Sequence, residues 1–373
     1  MQNTDSDLKI REAMTAFLTD GTITGCSRYG NGHINDTFLL CTQPDDGGQE
    51  KRYILQRINH HVFKKPGELM ENISGVTSFL NRQIKKQQGD PQRETLNLVK
   101  TKENRDFFKD SSESCWRCYY FIEDTICFEK VENSSDFYES GRAFGNFQNL
   151  LADYPATALH ETIPDFHHTP KRYQALIRAV KEDACGRVSN VLPELDFLEA
   201  RAGELSAALD MQKEGLLPLR VTHNDTKLNN ILFDQDTKKA ICVIDLDTIM
   251  PGLSINDFGD AIRFGANTAL EDETDLSKVS LSLPLYECYA KGFLEGSGGR
   301  LTTAEIRMLP MGAKLMTLEC GIRFLTDYLQ GDTYFKIHRP DHNLDRTRTQ
   351  LKLVADMESK WHEMEEIVSK YAI

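Results

Sequence analysis

Residues 219–247 constrain the fold more than any other part of the chain. An apolar strand end at 219–221 runs into the polar octapeptide His223-Asn224-Asp225-Thr226-Lys227-Leu228-Asn229-Asn230. A short apolar strand over 231–233 follows, then the turn Asp234-Gln235-Asp236-Thr237-Lys238-Lys239. A second apolar strand over 240–244 ends in Asp245-Leu246-Asp247. Polar side chains held between short apolar strands belong at a strand edge facing a cleft. A carboxylate at the end of a buried strand is costly unless something positive meets it.

Phosphoryl transfer asks for few protein groups. It needs metal ligands, a carboxylate that orients and deprotonates the acceptor hydroxyl, and a loop over the phosphates. A kinase catalytic loop sets its base Asp and its metal-binding Asn five residues apart. Asp225 and Asn230 have that spacing. Asp225 is therefore the candidate base, with Asn230 and Asp245 as candidate ligands of magnesium (Mg2+), a hard cation that takes carboxylate oxygens together with phosphates. Asp247 could complete the shell or brace the loop. A polar strand end would explain either aspartate alone; the ordered combination of Asp, Asn, strand and Asp does not reduce to that. Asp257-Phe258-Gly259 spells the metal tripeptide of protein kinases, but it follows loop residues rather than the strand. Asp257 and Asp260 are expected to be structural.

The rest of the chain divides in two. Residues 1–123 read as strands (23–26, 37–41, 52–58 and 118–122) with one helix from about Pro66, whose Leu69, Ile73, Val76, Leu80 and Ile84 share a stripe. Residues 124–373 read as mostly helical, over 137–151, 171–180, 195–211, 281–293, 304–329 and 346–371. The expected fold is α+β and bilobal, protein-kinase-like. A small strand-rich nucleotide-binding lobe (1–123) precedes a large helical catalytic and acceptor-binding lobe (124–373), with ATP in the cleft between them.

Gly30-Asn31-Gly32-His33-Ile34-Asn35 lies between two expected strands. Gly30 and Gly32 would let backbone N–H groups approach phosphate, with Asn35 beside them. A hairpin turn explains the same glycines. The lysine that kinases carry on the strand after this hairpin is missing, because Tyr53-Ile54-Leu55-Gln56 offers a glutamine. Arg57 should point to the opposite face. Lys227, two residues after Asp225, is the candidate to neutralise charge on the moving phosphoryl group.

Composition excludes several classes. A formal net charge of -13 argues against nucleic-acid binding, which needs clustered cations. No apolar run approaches the ~18–20 residues of a membrane span. The polar, acidic start lacks the features of a secretory signal. A cytoplasmic protein is expected, with a monomer favoured. The nine cysteines are odd in number and scattered. Cys115 and Cys118 have no second pair nearby and read as strand residues on opposite faces rather than a zinc pair.

The catalytic segment with Ile244-Asp245-Leu246-Asp247 resembles the aminoglycoside phosphotransferase and choline kinase-like superfamily. Longer strings are similar to a narrower family, the bacterial N-acetylhexosamine 1-kinases. They include Asp247-Thr248-Ile249-Met250-Pro251-Gly252, Phe258-Gly259-Asp260, Glu319-Cys320-Gly321 with Arg323-Phe324-Leu325, and Arg346-Thr347-Arg348-Thr349-Gln350. This resemblance runs nearly end to end. It implies ATP-dependent phosphorylation of the anomeric hydroxyl of N-acetylglucosamine or N-acetylgalactosamine. It also implies a sugar pocket at His33, Asp225, Asp245, Phe264, Arg323 and Tyr334. An amino-alcohol or aminoglycoside acceptor, or a silent nucleotide-binding protein, are the competing expectations.

Overall fold

The computed structural model describes residues 2–30 and 34–372. Its N-terminal part comprises α1 (Gln2–Ala16), β1 (Thr22–Arg28), β2 (Asp36–Gln43), β3 (Lys51–Arg57), α2 (Pro66–Lys86), α3 (Pro91–Glu94), β4 (Phe108–Lys109) and β5 (Cys115–Tyr120). The strands form one antiparallel sheet in the order β1-β2-β3-β5-β4. Side chains alternate across it. Phe38, Leu40, Tyr53, Leu55, Trp116 and Cys118 face Ala13 of α1 and Phe17, which follows it. The opposite face packs on the stripe of α2, where Leu69, Ile73, Val76, Leu80 and Ile84 are all buried.

α2 begins with Pro66 in its first turn, where the missing N–H costs nothing. α1 is a departure from the sequence reading, which expected one long helix in this part. Cys115 and Cys118 do lie on opposite faces, in different core clusters, and both are free thiols.

The C-terminal part holds β6 (Thr125–Ile126), α4 (Ser134–Leu150), α5 (Thr169–Glu182), α6 (Leu192–Glu199), α7 (Ala207–Lys213), β7 (Arg220–Thr222), β8 (Ile231–Asp234), β9 (Ala240–Val243), β10 (Met250–Gly252), α8 (Ser254–Gly265), α9 (Leu283–Gly296), α10 (Thr303–Arg307), α11 (Leu309–Leu329), α12 (His342–Ser359) and α13 (Trp361–Tyr371). This is a mixed α+β fold with a strand-rich sheet followed by a helical part. Three expected helices are broken. The 304–329 helix stops at Met308 because Pro310 opens a new one. The 346–371 helix breaks at Lys360, whose ammonium binds the Leu281 carbonyl and the Asp356 carboxylate. The 195–211 helix is two helices joined by a short 3-10 turn.

α8 crosses α11 at two glycines. A Cβ on Gly259 would sit 2.3 Å from the Gly312 carbonyl oxygen, and one on Gly312 would sit 2.4 Å from that of Ile255. The two parts of the chain share a core, since Val221, Leu246 and Ile249 pack with α2 and the sheet. This fixes the ends of β7 and β9 against the N-terminal sheet. No helix among the described residues is long and apolar enough to cross a membrane.

Candidate active site

β7 ends at Thr222, and α8 holds the loop that follows. Asp257 is fully buried. Its carboxylate accepts the N–H of His223 at 3.0 Å, the N–H of Asn224 at 2.8 Å and the Gln148 amide at 2.9 Å. Asp260, one turn later, accepts the Thr226 N–H at 3.0 Å. The tripeptide Asp257-Phe258-Gly259 therefore serves the fold. Asp257 holds the loop, Phe258 fills the core, and Gly259 lets two helices meet.

The same loop is fastened to the loop carrying Asp245. β7 and β10 pair antiparallel, with Thr222 opposite Met250. Thr248 Oγ1 donates to the His223 carbonyl at 2.7 Å, and Asn224 Nδ2 donates to the Thr248 carbonyl at 2.8 Å. His223 Nε2 lies 2.8 Å from the Ile244 carbonyl, while its Nδ1 faces the Asp225 N–H at 3.3 Å. These partners assign the ring proton to Nε2. Asn224 adopts φ of 65°, a left-handed conformation that Asn tolerates better than most residues.

Asp225 emerges half-buried from this frame. Asn230 Nδ2 donates to its Oδ2 at 3.0 Å and to its carbonyl at 2.9 Å. Lys227 Nζ pairs with its Oδ1 at 2.8 Å. Burial opposes the charged form of Lys227, but the carboxylates of Asp225 and Asp260 outweigh it and raise its pKa. Lys227 is thus held protonated beside the candidate base.

Asp245 follows β9 in a left-handed conformation, φ 57° and ψ 62°. Its surface is open on one side. Protein crowds it elsewhere, and this desolvation, followed by the negative charges of Asp247 and Asp225, raises its pKa. No ion pair reaches it among the described residues, so a cation would relieve that repulsion. Because Asn230 donates through Nδ2, its Oδ1 is the atom left for a metal. A carboxylate and an amide oxygen suit Mg2+, which draws its remaining ligands from water and phosphate. No group of three or more His, Cys, Asp or Glu placed to hold a metal ion occurs among the described residues.

On the N-terminal side, Gly30 has φ of 71° in the turn after β1. Gly32 and His33 lie outside the described residues. Asn35 is engaged by protein. Its Nδ2 donates to Asp247 Oδ2, and its Oδ1 accepts the Asn59 N–H at 3.0 Å. Gln56 on β3 confirms that no lysine stands there. The neighbouring cation is Arg117 of β5, directly opposite Gln56 and ion-paired with Asp247.

The acceptor candidates fall into two groups. Arg323 of α11 lies 5.9 Å from the Tyr334 ring, 5.3 Å from that of Phe335 and 5.9 Å from that of Phe166. Tyr334 is 70% exposed, on a segment pinned by Asp327, whose carboxylate takes the N–H groups of Thr333, Tyr334 and Phe335. Phe264, at the end of α8, lines a cavity of about 390 Å³ with Lys227, Leu228, Arg263 and Glu271. Neither Arg323 nor Tyr334 lines that cavity.

Residues 25–289 match the family model described as "Phosphotransferase enzyme family". The chain belongs to the phosphotransferase enzyme family. Solved structures similar to this phosphotransferase include a microcompartment-associated aminopropanol kinase, with a TM-score of 0.61 and 16% identity over 95% of this chain and 98% of the other. An aminoglycoside phosphotransferase from Alicyclobacillus acidocaldarius gives 0.62 at 12% identity, over 95% and 96%. A spectinomycin phosphotransferase in complex with ADP and spectinomycin gives 0.59 at 12% identity, over 96% and 98%. At these identities the likeness shows the fold.

Two features of this phosphotransferase escaped the sequence reading. Arg117 had a signal, a charge within the apolar strand Cys115-Trp116-Arg117-Cys118-Tyr119, which has to find a buried partner. Glu319 lies buried beneath Arg323, with His167 Nδ1 at 2.9 Å and the Thr169 hydroxyl at 2.8 Å. His167 precedes α5 and has no local pattern that would link it to α11.

Proposed function

We propose that this phosphotransferase is an ATP-dependent kinase for N-acetylhexosamines, N-acetylglucosamine or N-acetylgalactosamine, and that it phosphorylates the anomeric hydroxyl. The observation that carries the kinase reading is the joined set Asp225, Lys227 and Asn230, with Asp245 near enough for its charge to act on Asp225. ADP in the related spectinomycin phosphotransferase supports nucleotide binding. On this reading residues 1–123 cradle the nucleotide, with Gly30 and Gly32 near the phosphates, and residues 124–373 supply the catalytic and acceptor groups.

Asp225 takes the proton of the acceptor hydroxyl and aims its oxygen at the phosphoryl group. A loose transition state asks mainly for orientation from its base, and Asn230 and Lys227 provide that by holding both carboxylate oxygens. Lys227 also balances charge as the phosphoryl group moves. Asp245 and Asn230 Oδ1 would hold Mg2+, which supplies charge neutralisation at the phosphates when bound.

The acceptor is the finer step. Arg323 and its aromatic neighbours offer donors and apolar faces to a neutral sugar, with His33 and Phe264 as further contacts. Arg172 lies close enough to Arg323 to feel its charge. On this reading the two arginines, partly offset by the buried Glu319, leave the site less favourable to a cationic acceptor such as choline or an aminoglycoside. A site that hydrogen-bonds substrate hydroxyls also rejects analogues lacking them strongly.

The test is ATP consumption across N-acetylhexosamines, hexoses, choline and aminoglycosides. Turnover confined to the N-acetylated sugars supports the reading. Turnover confined to choline or aminoglycosides overturns the acceptor, and none with any alcohol overturns the kinase.

A further inference from the structure

The cation missing from β3 is present one strand away. Gln56 of β3 and Arg117 of β5 are direct partners in the antiparallel register, on the face toward α2. Arg117 is 1% exposed. Its Nε donates to Gln56 Oε1 at 2.9 Å, and the Gln56 amide donates to the Thr37 hydroxyl at 3.0 Å. Its Nη1 pairs with Asp247 Oδ1. The other oxygen of Asp247 accepts from Asn35, which is itself fixed by the Asn59 N–H. Asp247, two residues after Asp245, is therefore gripped on both oxygens from the N-terminal sheet and its first turn.

A buried ion pair is a weak source of net stability, because desolvating both charges offsets their attraction. In some proteins its return is a fixed geometry. Here the geometry it fixes is the left-handed turn at Asp245.

We propose that Arg117 is a positioning residue: from β5 it ties the Asp245–Asp247 loop to the nucleotide-side sheet, so that Asp245 is held ready for nucleotide-bound Mg2+. The proposal rests on the reading of this cleft as a magnesium–nucleotide site. Groups that orient metal ligands from behind are worth about 10- to 100-fold in metal affinity or activity.

The test is calorimetric titration of ADP with and without Mg2+, together with melting curves. The ratio of the two affinities reads the Mg2+-dependent part of binding, which a merely structural role for Arg117 would not move. In Arg117→Gln that ratio should fall at least about tenfold, while metal-free ADP affinity stays within about twofold. Arg117→Lys, which keeps the charge but loses the fork to Gln56 and Asp247, should fall between the parent and Arg117→Gln. Arg117→Gln with the parent's ratio overturns the proposal. Should Arg117→Gln fail to fold, Arg117→Gln/Gln56→Lys returns a cation opposite Asp247 and carries the test. Recovery of at least about a third of the parent's ratio supports the proposal, and a folded double variant lacking the Mg2+ effect overturns it. A parent without any Mg2+-dependent ADP binding defeats the underlying nucleotide reading, an outcome separate from a normal parent whose variants are unchanged.

Discussion

Asn230 Nδ2 donates to Asp225 Oδ2 across 3.0 Å, so the residues set five apart in the catalytic loop act as one unit. Asp225→Asn removes the proton acceptor while preserving shape. Its kcat should fall about 10²- to 10⁴-fold, the usual worth of a general base. ADP affinity measured by calorimetry should stay within about twofold. A kcat close to the parent's would remove Asp225 from the mechanism. Asn230→Ala differs, because it loses both the orienting amide and the proposed metal ligand; kcat should fall and half-saturation by Mg2+ should rise together.

Metal dependence separates Asp245 from its neighbours. Chelation should abolish turnover reversibly. Asp245→Ala should require much higher Mg2+ for half-maximal ADP binding, by about tenfold or more. Unchanged Mg2+ dependence would show that Asp245 is not a ligand.

Gly259 tests whether Asp257-Phe258-Gly259 is structural. A Cβ there meets the Gly312 carbonyl oxygen, a backbone atom that cannot swing aside. Gly259→Ala should cost about 1–3 kcal/mol in a denaturant melt. A stability equal to the parent's would mean that α8 and α11 cross less tightly than described.

Glu319 gives stability a pH dependence. Burial raises its pKa, but His167, Arg323 and the Thr169 hydroxyl outweigh it, so its folded pKa lies below the ordinary 4.5. A carboxyl lowered on folding stabilises the protein above its unfolded pKa, and that stabilisation fades as pH falls through the folded value. Glu319→Gln should therefore lower the melting temperature near neutral pH. It should also shrink the further drop seen below about pH 4.5. An acid limb as steep as the parent's would assign the effect to other groups.

Arg323→Met and Tyr334→Phe probe the acceptor wall. Both should raise KM for the sugar, Arg323→Met by about tenfold or more, with KM for ATP unchanged. A change confined to ATP would move these residues out of the acceptor site.

Much of the frame was legible. The strand pair around Asp234–Lys239, the α2 stripe and the order of Asp225, Asn230 and Asp245 are local patterns, with hydrophobic period and spacing in plain view. Asp257 could be set aside as a metal ligand from its position alone, although its hydrogen bonds to His223 and Asn224 needed the fold. α1 was missed because its contact with the core is thin: Ala13 is buried in it, with Ile10, Met14 and Ala16 partly buried against it. Arg117 and Glu319 were missed because each is defined by its partner, Asp247 or His167, more than a hundred residues away. Asn35 follows the turn expected to meet phosphate, yet its side chain serves Asp247.

The most direct measurement is phosphorus NMR of the product formed from ATP, Mg2+ and N-acetylglucosamine or N-acetylgalactosamine, with Asp225→Asn as control. The account predicts a sugar phosphate whose phosphorus couples to the anomeric proton, absent with Asp225→Asn. Phosphorus on any other carbon, or ATP consumed only with an amino alcohol or aminoglycoside, would contradict it.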